Sequence, residues 1–111
     1  MALLDWFRGP AERVDVGEVE VVRRRPDGGV ERIAWDDLTT VRVVTTSEGP
    51  LAEDLFICLE AADGSGCVVP NALAAPLVGY LTRLPGFDAD TFLQAFGSTG
   101  DAQFLCWTRS R

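Results

Sequence analysis

Adjacent acidic residues are the groups in this chain whose types and spacing could do chemistry. Asp36-Asp37 and Glu53-Asp54 are neighbouring carboxylates, with Glu48 lying between the two pairs. Carboxylates can serve as general acid and base, or hold magnesium or calcium through oxygen. Neighbours on extended backbone point to opposite faces, however, so neither pair is built by spacing alone to converge on one atom. The remaining inventory is short. The chain has no histidine, and all 10 cations are arginine. That removes the usual triads, Cys–His pairs and most zinc sites, together with the P-loop and Schiff-base chemistry, both of which need lysine. Cys58, Cys67 and Cys106 form no C-x-x-C pair, so buried reduced thiols are expected. Gly97-Ser98-Thr99-Gly100 looks superficially like a phosphate cradle, but glycine after a helix more often caps it. The inventory predicts a protein that is not an enzyme and carries no metal or cofactor.

A second chemistry is anion binding. Arg23, Arg25 and Arg32 lie on the first predicted hairpin. If Asp27-Gly28 is a two-residue turn, Val22 pairs with Ile33 and Arg24 with Glu31, and Arg23 falls beside Arg32 with Arg25 close by. Like charges opposed in this way destabilise a sheet. Arginine suits planar oxyanions, so this basic spot is the alternative binding site, for an anion or a lipid head group. The leading candidate surface is acidic instead: Trp35, Asp36 and Asp37 at a corner, with Glu48, Glu53 and Asp54 in the loop Ser47–Asp54. Long loops carry binding residues more often than cores do. Corner and loop flank the same predicted strand and could lie at its opposite ends.

The elements that must position these groups read as one domain over residues 1–111. Residues 1–16 give a short helix with Leu3, Leu4 and Phe7 on one side, stopped by Gly9-Pro10, then a connector over 11–16. Residues 17–70 give antiparallel strands at 18–25, 30–35, 39–46, 55–59 and 67–69, with hairpin turns at Pro26–Gly29 and Ala62–Gly66. Trp35-Asp36-Asp37-Leu38 is a tight corner, because aspartate caps backbone N–H groups. Residues 71–98 change to a period of 3.6. Leu73, Leu77, Tyr80, Leu81 and Leu84 share a stripe, and Pro76 restricts the helix start to about Ala75. Asp88 then caps a second helix, with Phe87 and Phe92 placed as a hydrophobic staple and Gly97 as the stop. The last strand, 102–109, carries Phe104 to Trp107 as a continuous apolar run, expected of a strand covered on both faces or with Trp107 at a rim. The expected fold is α+β: a mainly antiparallel curved sheet or partly open barrel of about six strands, covered by two helices from the C-terminal half.

A formal net charge of −7 repels nucleic acid and anionic membranes at long range. No apolar run approaches the roughly 20 residues of a membrane span, and the N-terminus lacks the basic region of a signal peptide. Cytoplasmic placement is expected.

The segment Arg32-Ile-Ala-Trp-Asp-Asp-Leu-Thr-Thr-Val-Arg-Val43 resembles the I-x-W-x-D-[IL]-x-x-[IV] corner of bacterial pleckstrin-homology-like domains. Glu53–Leu59, Gly66–Pro70 and Leu84–Asp88 also resemble blocks shared by small uncharacterised bacterial proteins. The resemblance implies a curved antiparallel sheet or partly open barrel used for binding rather than catalysis. In lipid-binding members the first hairpin is basic, as Arg23, Arg25 and Arg32 are here, but the lysine-bearing pattern is missing. Such domains end in their helix, whereas this chain adds a strand after it. Charge, inventory and resemblance together predict a non-catalytic domain that binds another protein, in one version as an acidic immunity-type inhibitor of a basic toxin. An exposed apolar final strand could also pair with a second copy.

Overall fold

Two Asp-Gly turns set the frame of the molecule, a computed structural model that describes residues 12–47 and 55–109. In the first, the Arg25 N–H donates to Gly29 O at 2.8 Å and the Gly28 N–H to Arg25 O at 3.0 Å, with Gly28 at φ +90°. In the second, the Ala61 N–H donates to Ser65 O and the Gly64 N–H to Ala61 O, with Gly64 at φ +87°. Both are three-residue loops whose last residue must be left-handed, which glycine adopts without a steric cost. Asp27 and Asp63 close them by accepting the N–H two residues on, at 2.8 and 2.9 Å.

The first loop joins β2 (Glu20–Arg24) to β3 (Val30–Ala34), and β1 (Arg13–Val16) pairs on the far side of β2. The second joins β5 (Leu55–Ala61) to β6 (Gly66–Pro70) in a four-stranded sheet of order β6-β5-β4-β7, with β4 at Leu38–Thr45 and β7 at Ala102–Thr108. All strand pairs are antiparallel. Helices α1 (Ala75–Leu81) and α2 (Ala89–Phe96) lie between β6 and β7 in the chain.

The predicted α+β class holds, with antiparallel strands and both helices in the C-terminal half. The strands divide into two sheets instead of closing one barrel, and among the described residues they number seven. The extra strand is β1, over residues read from the sequence as a connector. The predicted N-terminal helix at 2–8 lies outside the described residues. β7 pairs with β4 and forms one edge of its sheet.

One core holds these parts together. Val21 and Ile33 from the first sheet meet Val41, Val43, Ile57, Leu59 and Val69 from the second, with Leu77, Leu81, Phe92 and Ala95 from the helices. Asp88 caps α2 by accepting the Thr91 N–H at 2.9 Å, and the Phe87 and Phe92 rings meet edge to face at 5.4 Å, as the spacing predicts. In β7 the ladder skips Cys106, since Val41 faces Trp107 and Arg42 faces Leu105. That bulge buries Cys106 and Trp107 consecutively and leaves Leu105 half exposed, which a regular alternation could not do. No helix among the described residues is long and apolar enough to cross a membrane.

Candidate functional site

Trp35-Asp36-Asp37 forms a single 3-10 turn between β3 and β4, closed by the Leu38 N–H on Trp35 O. The indole is fastened from several directions. Its Nε1 donates to Gly17 O at 2.8 Å, and its ring stacks on Tyr80 at 5.4 Å and 9°. The Trp35 N–H donates to Val19 O at 2.9 Å. On the carbonyl side, Arg109 donates from Nη2 to Trp35 O at 2.9 Å and from Nε to Leu38 O at 2.8 Å. Trp35 therefore ties the β1–β2 connection, α1 and the end of β7 to one corner. Asp36 and Asp37 project from that corner into solvent.

Asp37 borders an open cleft of about 430 Å³ between β3 and the β5–β6 turn. Asp63, Ser65, Glu20 and Arg32 line it as well, the last two paired at 3.5 Å. Ser65 donates from Oγ to Asp63 at 2.6 Å and from its N–H at 2.9 Å. These bonds hold the Asp63 carboxyl below the usual carboxylate range, so it stays ionised. The cleft lining thus carries three carboxylates and one arginine that already has a partner.

The acidic loop is not part of this cleft. Ser47 sits beyond the far end of β4, where its N–H and Oγ donate to Asp101 at 2.9 and 3.2 Å. The eight residues of β4 place it about 26 Å from the corner. Glu48, Glu53 and Asp54 lie outside the described residues.

The arginines are distributed differently from the sequence expectation. The three-residue loop shifts the hairpin register by one, so Arg23 faces Glu31 and Arg32 faces Val22. Arg23 points toward the core side, where it meets Glu12 at 2.6 Å and Glu31 at 3.1 Å. Burial disfavours its charge, but the bonds to both carboxylates outweigh burial and raise its pKa. Arg25 reaches Asp27 at 3.2 Å and Glu31 at 3.5 Å. Arg32 lies on the opposite face of β3, so the three guanidiniums do not converge. Like charges meet elsewhere: Arg13 stands opposite Arg24 on β1 and β2. Glu31 went unrecognised in the sequence because the two-residue turn pairs it with Arg24 instead of Arg23.

Burial pushes the Cys58 thiol up, with Glu60 adding to the effect. It pushes Cys67 up to about 12, helped by Glu31. Cys106 is raised for the same first reason. Thiols so placed remain protonated near neutrality and are poor nucleophiles. Gly97 caps α2, and Gly100 O accepts the Thr45 hydroxyl at 2.7 Å, so this segment is engaged within the fold. Among the described residues no three histidine, cysteine, aspartate or glutamate side chains gather as metal ligands would. Compared with family models, curated proteins and solved structures, the chain matches none.

Proposed function

We propose that this chain is a non-catalytic binding domain whose cleft receives a basic side chain of a protein partner. The observation that carries the reading is that Asp37 and Asp63 both line one open cleft, each on a turn closed by hydrogen bonds. A guanidinium or ammonium entering there meets carboxylates whose turns are already formed, which favours affinity by preorganisation. The net charge of −7 steers a basic partner toward the molecule. An inhibitor that blocks a basic protein surface is the specific form this charge favours. The likeness of the Trp35 corner to pleckstrin-homology-like domains supports binding over catalysis, and the protonated thiols fit a reducing cytoplasm.

Affinity capture on immobilised wild type and on the Asp37→Asn/Asp63→Asn variant, read by quantitative mass spectrometry, tests the cleft. Asparagine retains the oxygen that closes the turn at 63, so the fold is kept. A protein held by wild type and lost from the variant supports the reading. Identical sets of retained proteins overturn it.

A further inference from the structure

The four-stranded sheet carries apolar side chains on both faces. Its inner face carries the core. On its outer face the register sets Val68, Cys58, Arg42 and Leu105 in one row across the strands. Pro70, Phe56, Val44 and Gln103 form the row beside it, and Gly66, Glu60, Thr40 and Thr108 the row on its other side. Both helices and the three-stranded sheet contribute their buried residues to the core on the inner face. An antiparallel sheet with one solvated face normally alternates polar side chains outward, whereas here Val44, Phe56, Cys58, Val68 and Leu105 sit among the outward positions.

The charges on these strands are equally distinctive. Across β4, β5, β6 and β7 the only charged side chains are Arg42 and Glu60, which pair at 3.3 Å. The face is neutral, whereas the chain carries −7. Two copies of a strongly acidic protein repel each other at most approaches, but not here. The pair is also self-complementary: a two-fold axis can set Arg42 of each copy against Glu60 of the other.

We propose that this outer face packs on the same face of a second copy, sheet on sheet, independently of the acidic cleft. In-plane extension from the β7 edge is the weaker geometry. The bulge at Cys106 bends the strand, and the Asp88 N–H occupies Cys106 O at 2.9 Å. Leu105 takes part through its face rather than through its backbone. Four strands about 4.8 Å apart give a footprint on the order of 300–400 Å² per copy. That lies below the roughly 800 Å² per partner of a standard interface, so the dimer is weak and reversible.

Sedimentation equilibrium over about 5–500 μM tests this, with iodoacetamide labelling of Cys58 as a second readout. Wild type is expected to rise from 12.0 kDa toward twice that mass. Cys58 labelling should slow as concentration rises. Val44→Glu and Leu105→Glu, checked for native circular dichroism, are expected to stay monomeric. Arg42→Glu and Glu60→Arg should each stay monomeric alone and associate when mixed, because one face then carries two negative charges and the other two positive. A wild type monomeric throughout, with Cys58 labelled at one rate, would overturn the proposal. A dimer indifferent to both Glu substitutions, or a mixture that fails to associate, would overturn it as well.

Discussion

Glu31 on β3 accepts the Val68 N–H of β6 at 2.8 Å, so a side chain of one sheet satisfies the backbone edge of the other. Its second oxygen takes Arg23 at 3.1 Å, and Arg23 in turn holds Glu12. A half-buried carboxylate with donors from two sheets is tied into the packing of the fold, and removing it leaves the Val68 amide unpaired and Arg23 with Glu12 alone.

Glu31→Ala should therefore cost about 2–3 kcal/mol, the range for breaking a partly buried charged network. Glu20→Ala, which removes only the exposed partner of Arg32 at 3.5 Å, should stay within about 0.5 kcal/mol. Urea denaturation of the two variants checks the contrast, and equal midpoints would refute it.

Trp35 is only half-buried, yet several elements converge on it. Trp35→Ala should cost about 2–3 kcal/mol, below the roughly 3–5 kcal/mol of a fully buried tryptophan. Trp35→Phe keeps most of the stack on Tyr80 but loses the bond to Gly17, and should cost about 1–2 kcal/mol. If alanine there changed the unfolding midpoint no more than a surface substitution does, the corner would not be the scaffold's pin.

Glycine positions separate backbone strain from packing. Ala at 28 or at 64 meets no atom within 4 Å but inherits φ of +90° or +87°, so each should destabilise by about 1–2 kcal/mol. Gly79→Ala also enters open space, at helical φ inside α1, and should stabilise by about 0.5–1 kcal/mol. Thermal melts of the three variants should show opposite signs.

Cys67 sets a pH dependence. Folding holds its thiol neutral, raising its pKa from 9.0 to about 12. The stability this contributes is complete below pH 9 and is lost as pH climbs toward 12. The melting temperature should fall above pH 9, and the fall should be shallower in Cys67→Ala. Parallel alkaline curves would contradict the assignment.

Local signals carried well from sequence to structure. Asp88, Phe87 and Phe92 sit within one turn of each other, so cap and staple depend on no distant partner. The corner at Trp35 and the start of α1 at Ala75 were legible for the same reason. Register was not. Asp27-Gly28 can be the centre of a two-residue turn or the end of a three-residue loop, and Gly29, which becomes the strand partner of Arg25, decides it. That single-residue shift moved Arg23 from a presumed basic spot into a bond with Glu31. The alternation Arg13-Val14-Asp15-Val16 did carry a strand signal, although four residues are few to trust. The cleft required the β5–β6 turn to fold beside β3, a non-local arrangement that brings Asp63 and Asp37 to one cleft and is written in no short motif.

The claim that matters most is that Asp37 and Asp63 together hold a basic group of the partner. Calorimetric titration of the captured partner against wild type and Asp37→Asn/Asp63→Asn, at about 50 mM and 500 mM salt, tests it directly. The account predicts at least a tenfold loss of affinity in the folded variant at low salt, narrowing at high salt as screening weakens the wild-type attraction. Equal affinities at low salt would contradict it.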